Sequence, residues 1–531
     1  MAAEAPVLIA GGGLVGLSTA MFLARHGVPS IVVEQLKIPS TLPRAAFFHM
    51  RTFELFRAAG IEDEVRAQSE KEFTPDGAIV ALESLIGPQI GAFIANLNAG
   101  VGELSPCRRW FVSQPGLEPI LRKRAEEVGA RVINGEAIVA AQQDADGVTA
   151  TLRNVETGAE RMLRAKYLIA AEGAHSRIRE QLAIPMEGRG VFSNSITVYF
   201  RADLSPYLAG RNLSIIYIKN DALSGFFRLE KNGRRGFLGV NTVGDPYANP
   251  EAAANAAADT SEARQVELVR AAAGVPDLKV ELEGCARWRA TCDVAARYRE
   301  GRIFLAGDAA HLMPPNGGFG GNTGIHDAHN LAWKLALVLN GAAAPALLDS
   351  YEAERKPVGR MTVDQAYTRY VTRTAPYLGA KDYPPLLDDF RIELGYLYRS
   401  RAIETEPNTP EGHEDPRTSF GRPGSRAPHL WLDDHRTSTL DLAGNGFTLF
   451  AGKNAAAWVE AAREVGAATP QLRLDVKDVS RMRDPGRVLH DYGIGEAGAS
   501  LIRPDGFVAW RTTSPPAAGT LTRALRDVLC L

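Results

Sequence analysis

The first 34 residues follow a regular order of apolar and polar positions. Residues 7–10 form a short apolar run that ends in the glycine-rich turn Gly11-Gly12-Gly13-Leu14-Val15-Gly16. Apolar positions then recur with helical spacing as far as Gly27, and a second apolar run leads to Glu34. This order predicts a strand, a turn, a helix and a second strand. A Gly-x-Gly-x-x-Gly turn in that setting predicts a dinucleotide site.

Each glycine of this turn has its own expected task. Gly11 would make the tight turn, Gly13 would let the backbone approach a pyrophosphate, and Gly16 would let the helix lie close to the strand. The phosphates would sit at the helix N-terminus, which favours anions. Glu34 stands where an acid can bind ribose hydroxyls, and its charge would repel a 2′-phosphate. The turn therefore predicts FAD or NAD, and by itself it does not separate the two.

Three further polar positions follow predicted elements near this unit. Arg44 lies in the loop after the second strand, where it could reach the phosphates or remain a solvated loop charge. Gln114 opens a helical pattern, so its amide could donate to an anion or cap the helix. A third apolar run ends in Glu172-Gly173. In parallel sheets, the carboxyl edge of the strands is where ligands bind.

The middle of the chain changes to a β-like pattern. Polar and apolar positions alternate between residues 192 and 287, interrupted by one helical passage at 261–273. Residues 77–93 also lose helical periodicity. These segments predict a sheet that is inserted into the nucleotide-binding domain and is suited to cover a substrate.

A second glycine-rich element lies about 300 residues after the first. A predicted strand at 303–306 ends in Gly307-Asp308, and a loop rich in proline and glycine then leads into a long helical pattern. Four glycines within five positions are costly in a solvated loop, but they allow a backbone to approach a flat ligand closely. A helix N-terminus there would stabilise negative charge on a reduced flavin. NAD would not require this element, so we expect FAD. The loop positions of interest are Pro315, Gly318, Gly320, Gly321 and Asn322.

Composition excludes several other classes. The chain has 531 residues, enough for about three domains. A net charge of −2 argues against nucleic acid and anionic membranes as partners. The four cysteines show neither metal-binding spacing nor a disulfide framework, so we expect no metal and a cytoplasmic location. No signal peptide and no apolar run of about 20 residues is recognisable, so no membrane span is expected.

The three glycine and acid fingerprints, Gly11-x-Gly13-x-x-Gly16, Glu172-Gly173 and Gly307-Asp308, resemble those of the group A FAD-dependent aromatic hydroxylases. This family is typified by p-hydroxybenzoate hydroxylase. Residues 17–25 and 492–501 look like its polyketide-tailoring branch, which includes aklavinone 11-hydroxylase. The resemblance implies an α/β fold: a Rossmann-like FAD-binding domain, an inserted β-sheet substrate domain and a C-terminal thioredoxin-like domain.

The resemblance and the patterns together predict the domain boundaries. FAD-binding parts at 1–76, 102–190 and 288–400 are expected to be interrupted by substrate-domain segments at 77–101 and 191–287, with a linker at 401–424 and the thioredoxin-like domain at 425–531. The last domain has no Cys-x-x-Cys, and Cys530 is its only cysteine. Dithiol chemistry is therefore excluded, and a structural or interface role is expected.

The resemblance also implies roles for individual cofactor-binding positions. Arg44 and Gln114 would hold the FAD pyrophosphate, Glu34 the adenosine ribose, Asp308 the ribityl chain, and the backbone of residues 320–322 the isoalloxazine. The family usually has Asp-Gly where this chain has Glu172-Gly173, so the contact to cofactor or nicotinamide there differs. Because family members lack a nicotinamide domain, NADPH or NADH would bind transiently.

The implied reaction is an aromatic hydroxylation. NAD(P)H would reduce FAD, O₂ would add at flavin C4a, and the distal oxygen of the hydroperoxide would pass to an electron-rich aromatic carbon. Arg373 matches an arginine in aklavinone-hydroxylase-like sequences and would favour an ionised phenol. Tyr217 could hydrogen-bond a substrate oxygen. The alternatives are a surface charge for Arg373 and core packing for Tyr217.

Other polar residues are expected to be structural. His311 would line the cofactor site, while Asp327, Glu352 and Arg355 would form ion pairs between helices.

Several functions stay open on the sequence alone. A flavin-dependent halogenase would carry a Trp-x-Trp-x-Ile-Pro stretch, which is absent. A Baeyer–Villiger oxygenase, a flavin oxidase and a non-catalytic flavin-binding protein remain alternatives, because a fold does not fix the chemistry. The branch resemblance favours a polycyclic aromatic polyketide as substrate, with a simpler phenol second. The chain is expected to be a monomer or homodimer.

Overall fold

The first strand lies in the middle of a mixed sheet in the computed structural model, which describes residues 5–38, 46–241, 258–378, 382–433, 435–453 and 455–531. The strands of the described residues, in chain order, are β1 (Ala5–Ala10), β2 (Ser30–Glu34), β3 (Phe47–Phe48), β4 (Ala78–Leu82), β5 (Gln89–Ile94), β6 (Trp110–Phe111), β7 (Arg131–Asn134), β8 (Glu136–Gln143), β9 (Val148–Asn154), β10 (Glu160–Ala170), β11 (Met186–Arg201), β12 (Leu213–Lys219), β13 (Ser224–Leu229), β14 (Arg235–Asn241), β15 (Glu281–Ala295), β16 (Arg299–Glu300), β17 (Ile303–Leu305), β18 (His311–Leu312), β19 (Phe447–Ala451), β20 (Leu474–Asp478), β21 (Ala499–Ile502) and β22 (Val508–Thr512).

The α-helices alternate with these strands at both ends of the chain. They are α1 (Leu14–Arg25), α2 (Met50–Ala59), α3 (Glu62–Glu72), α4 (Gln114–Glu127), α5 (Arg177–Gln181), α6 (Ser205–Leu208), α7 (Glu262–Ala273), α8 (Phe319–Leu339), α9 (Asp349–Arg373), α10 (Asp389–Leu394), α11 (Ala455–Ala468), α12 (Pro485–Asp491) and α13 (Thr520–Val528). Among the described residues, no helix is both long and apolar enough to cross a membrane.

The first sheet brings the predicted fingerprints to one edge. Strands β17, β10, β1, β2 and β7 lie side by side in that order, and each neighbouring pair is parallel. The carboxyl ends of β1, β10 and β17 therefore lie close together, although they are far apart in the chain. Their buried, largely aliphatic positions form the core of the FAD-binding domain.

The second sheet is the inserted substrate domain. Its strand order is β18-β15-β11-β14-β13-β12-β4-β5, so β4 and β5 join strands that follow about 100 residues later. One face of this sheet carries Ile216, Phe227 and Leu238, which belong to the same apolar cluster as Leu268 and Val269 of α7. The other face is turned toward the FAD-binding domain and carries Tyr217 and Phe226.

The C-terminal part forms a third sheet with the order β20-β19-β21-β22 and flanking helices, as expected for a thioredoxin-like fold. Residues 401–424, which we expected to serve as a linker, lie against this sheet. Glu404 N donates to Ala509 O at 2.9 Å, and the Arg511 guanidinium pairs with the Glu406 carboxylate at 2.6 Å. This stretch of chain is therefore attached to β22.

Candidate active site

The first glycine turn is shaped by two close backbone approaches. Gly11 has a φ of +101°, and a Cβ there would lie 2.3 Å from the Ala171 carbonyl oxygen. A Cβ on Gly16 would lie only 1.9 Å from the Gly11 carbonyl oxygen, so the helix approaches the turn itself. A Cβ on Gly13 would meet nothing nearer than Glu118 Oε1 at 3.6 Å. Gly13 thus presents open backbone at the N-terminus of α1.

Glu34 lies directly beside this turn. Its carboxylate accepts hydrogen bonds from Gly12 N at 2.6 Å and from Leu36 N at 2.7 Å. The second strand therefore delivers the acid to the carboxyl edge of the sheet, where we expected it. Arg44 lies outside the described residues.

Gln114 occupies the first position of α4 but does not cap it. The cap is Ser113, whose Oγ accepts from Gly116 N at 3.1 Å. The Gln114 amide instead donates to Glu118 Oε1 at 2.6 Å. Glu118 is also the side chain nearest to Gly13, so the Gln114 amide is held close to the open backbone of the first turn.

The turn after β10 uses its acid locally. The Glu172 carboxylate accepts from Ser176 Oγ at 2.7 Å and from Ile178 N at 3.1 Å, which caps the short helix α5. Burial raises the pKa of Glu172. Gly173, with a φ of +84°, has open space where a Cβ would stand. The sequence indicated an acid at a ligand-binding edge, but it did not indicate the role of that acid as a helix cap.

The turn after β17 is held by a buried acid that follows it by about twenty residues. Asp327 on α8 accepts from Gly307 N at 3.1 Å, His311 Nε2 at 2.8 Å and Arg355 Nε at 2.7 Å. Burial alone would raise the pKa of Asp327, but the charges of Arg355 and His311 hold it below its usual value. The expected ion pair between helices is confirmed for Asp327 and Arg355.

Glu352 was expected in the same set of ion pairs. In the structure, its carboxylate accepts a hydrogen bond from Tyr298 N at 2.7 Å. Asp308, next to the Gly307 turn, is exposed at the carboxyl edge of the sheet.

The glycine-rich loop before α8 is anchored by one buried amide. Asn322 Oδ1 accepts from His49 N at 2.9 Å, and its Nδ2 donates to the carbonyl oxygens of Phe47 and Gly318. Gly318 has a φ of +69° and its N–H donates to the Pro315 carbonyl oxygen at 3.0 Å. The Asn322 side chain therefore fixes the loop.

Gly320 and Gly321 lie in the first turn of α8. A Cβ on Gly320 would meet nothing nearer than 3.9 Å, where Asp308 Oδ1 and Met313 Cγ lie. The N-terminus of this helix consequently offers a strip of open backbone next to Asp308. Open backbone at Gly13 and at Gly320 suits an extended dinucleotide whose phosphates lie at the first turn and whose flat ring lies at the second. The residues present therefore fit FAD.

Tyr217 and Arg373 come together although they lie on different domains. Tyr217 is 6% exposed, and its hydroxyl accepts from Asn316 Nδ2 of the glycine-rich loop at 3.4 Å. Arg373 ends α9, and its guanidinium lies 4.7 Å from the centroid of the Phe93 ring. Phe93 also contacts the Tyr217 ring edge-on at 5.4 Å. We did not predict Asn316 or Phe93, although Asn316 lies within the Pro314–Asn322 loop that the sequence singled out.

Two family matches cover most of the chain. Residues 4–366 match the FAD binding domain family, and residues 421–530 match the family described as aromatic-ring hydroxylase, C-terminal. The chain therefore belongs to the FAD-dependent aromatic-ring hydroxylases. It is a flavin monooxygenase that binds FAD, as the resemblance implied. Among the described residues, no group of three metal-binding side chains is present.

The chain is similar to individual members over its whole length. It is 50% identical to the 4-methyl-5-nitrocatechol 5-monooxygenase of a Burkholderia species, over 99% of this chain and 98% of that protein. It is 38% identical to the tetracenomycin A2 monooxygenase-dioxygenase of Streptomyces glaucescens, over 99% and 97%. The crystal structure of aklavinone-11 hydroxylase with FAD and aklavinone superimposes with a TM-score of 0.93, at 38% identity and full coverage of both chains.

Proposed function

We propose that this enzyme hydroxylates a phenolic aromatic ring at the expense of NAD(P)H and O₂. The contact between Asn316 and Tyr217 carries the proposal, because it joins the loop expected to hold the flavin ring to a phenol-binding hydroxyl. Asn316 Nδ2 also lies 3.3 Å from Oγ1 of Thr374, the residue after Arg373. Bound FAD, once reduced, supplies the activation of O₂.

The chain's own groups then bind the substrate and promote its ionisation. Tyr217 accepts a hydrogen bond from Asn316, so its own proton is available for a substrate oxygen. The Arg373 guanidinium favours the phenolate over the phenol, because an opposite charge nearby stabilises the ionised form. A phenolate ring is richer in electrons at its carbon atoms. Burial of Tyr217 and Asn316 keeps water away from the reacting atoms.

The substrate class rests on the relatives. The relative at 50% identity, named for 4-methyl-5-nitrocatechol, favours a substituted single-ring catechol, which was the second candidate from the sequence. The structural neighbour with bound aklavinone supports a polycyclic phenol as the alternative. Both substrates present a flat ring with an ionisable hydroxyl.

The test is oxidation of NADPH and of NADH by the FAD-loaded protein, with 4-methyl-5-nitrocatechol and aklavinone as probes. We expect one probe to accelerate oxidation and to yield a product with one more oxygen atom on its ring. An ester product would identify a Baeyer–Villiger oxygenase instead. If hydrogen peroxide forms in place of an oxygenated product, the enzyme is an oxidase. If no phenol in a broad panel accelerates oxidation, the proposal fails.

Replacing Arg373 with methionine tests phenol activation. We expect kcat/KM to fall at neutral pH and the rise of coupled hydroxylation with pH to move up by about one unit, because the lost charge no longer lowers the phenol pKa. Arg373→Lys retains the charge and should restore much of the pH profile. The pH profile is measured as product formed per NAD(P)H consumed. An Arg373→Met profile that overlies the wild type would contradict the role.

A further inference from the structure

Phe93 lies on the outermost strand of the substrate-domain sheet. Strand β5 pairs only with β4, and the β4–β5 register shifts twice along its length. The Phe93 side chain is 38% exposed, although its ring touches buried groups. An aromatic ring at the edge of the sheet therefore lies between solvent and the interior.

The contacts of this ring form a continuous path inward. The Arg373 guanidinium lies over its face at 4.7 Å, and the Tyr217 ring meets it at 5.4 Å with an interplanar angle of 76°. The Tyr217 hydroxyl in turn accepts from Asn316 in the loop before α8. Solvent, Phe93, Tyr217 and the glycine-rich loop thus follow one another without an intervening layer.

We propose that Phe93 is a specificity-determining residue at the mouth of the substrate site. This inference rests on the proposed function. A flat, anionic aromatic ring can replace the guanidinium over the Phe93 face, while its oxygen receives the N–H groups that the displaced guanidinium retains. The Phe93–Arg373 pair is thus a preformed binding element for a phenolate.

The position of Phe93 also favours a small substrate. A single ring can stack on Phe93 with its oxygen at Arg373. Further fused rings must extend outward past β5, where the Phe93 ring occupies part of the opening. The proposed substrate class is therefore a single-ring phenolate or catecholate, and truncation of Phe93 should relax this preference.

The test compares Phe93→Ala with two controls in the FAD-loaded enzyme. Phe93→Tyr retains the aromatic ring, and Ile90→Ala truncates another residue of β5 that is 53% exposed. Substrate dissociation constants are measured without nicotinamide, from the change that each probe causes in the visible spectrum of the bound flavin. Values of KM and kcat are measured separately, with product formed per NAD(P)H.

Phe93→Ala should weaken binding of 4-methyl-5-nitrocatechol about tenfold, which corresponds to one aromatic stacking contact. It should also shift the ratio of kcat/KM values toward aklavinone, with more hydrogen peroxide formed because the mouth is less shielded. Both control variants should stay within about twofold of the wild type, as surface substitutions usually do.

The inference is overturned if Phe93→Ala binds both probes as Ile90→Ala does. It is also overturned if Phe93→Tyr loses affinity as fully as Phe93→Ala. A wild-type enzyme that responds to no phenol would instead refute the proposed function, so the two failures are distinguishable.

Discussion

At the scale of single residues, the glycines of the first turn have separable roles. A methyl group on Gly16 would overlap the Gly11 carbonyl oxygen, whereas one on Gly13 would have room in the protein alone. Gly13→Ala should therefore fold with near wild-type stability and lose at least about tenfold in FAD affinity, because the added methyl occupies the phosphate position.

Gly16→Ala is the matched variant for Gly13→Ala. It should lower the free energy of unfolding by about 1–3 kcal/mol or more, since the helix must move away from the turn. FAD binding is read from flavin fluorescence on titration of the apoprotein, and stability from denaturant unfolding of the same apoprotein. A Gly13→Ala protein that binds FAD like the wild type would remove Gly13 from the predicted phosphate site.

The residues also show where prediction from sequence ends. Gly11 and Gly16 could be predicted because their spacing is local and their backbone constraint is absolute. The partners of Tyr217 and Arg373 could not, because Phe93 and Asn316 reach them from segments more than 50 residues away. Gln114 and Glu172 were singled out as ligands, yet their short-range contacts to Glu118 and Ser176 had equally local signals.

At the scale of elements, Asp327 couples two helices to the strand that ends in Gly307. It is fully buried, as is its partner Arg355. Asp327→Asn should lower the free energy of unfolding by about 3–5 kcal/mol, because it leaves the Arg355 charge buried without its counter-charge. Denaturant unfolding of the apoprotein measures this change.

The double variant Asp327→Asn, Arg355→Met checks the cause. Removing the second charge should restore part of the lost stability, since an uncompensated buried charge is then no longer present. Equal stability of the single and double variants would show that packing, and not charge, accounts for the effect. Asp349→Asn at the start of α9, where the acid is exposed, should change stability by less than about 1 kcal/mol.

Elements were easier to predict than their arrangement. Hydrophobic periodicity indicated the strand before Gly11, the helix after Asn322 and the inserted β segments, because each depends on neighbouring residues. The pairing of β12 with β4 joins segments about 130 residues apart. No local pattern specifies such a pairing, which is set by packing across the sheet.

At the scale of the whole molecule, buried charges bind the C-terminal domain to the FAD-binding domain. Arg503, beside β21, donates to both oxygens of Glu354 on α9 at 2.6 and 2.8 Å. Lys334 on α8 pairs with the same carboxylate at 2.7 Å, and all three side chains are fully buried. The helix that begins at the glycine-rich loop is therefore held by the C-terminal domain.

Thioredoxin-like topology without cysteines suggested a structural or interface role for this domain, and these contacts agree with that expectation. The sequence did not identify the contacts themselves. Arg503 and Glu354 are 149 residues apart, and a charged residue in either segment reads as a solvent-facing position. Only the docking of the two domains makes their burial possible.

A second charged contact gives this interface a testable dependence on pH. Glu54 on α2 accepts from Arg426 at 2.6 and 2.9 Å and from Arg51 at 2.9 Å. Burial alone would raise the pKa of Glu54, but the charges and hydrogen bonds of Arg426 and Arg51 lower it from 4.5 to about 2. Because the pKa is lower in the folded protein, the stabilisation is fully present above pH 4.5 and is lost as the pH falls toward 2.

Replacing Glu54 with glutamine should remove this stabilisation. At pH 7 we expect the free energy of unfolding to fall by about 3 kcal/mol, which corresponds to the shift in pKa. Below pH 4.5 the wild type loses the same contribution, so the difference between the two proteins should narrow. Glu64→Gln, at an exposed pair with Lys123, should differ from the wild type by less than about 1 kcal/mol at either pH. Denaturant unfolding at pH 7 and pH 3.5 measures both differences. A Glu54→Gln deficit that is equal at the two pH values would show that shape, and not charge, holds the two domains together at this point.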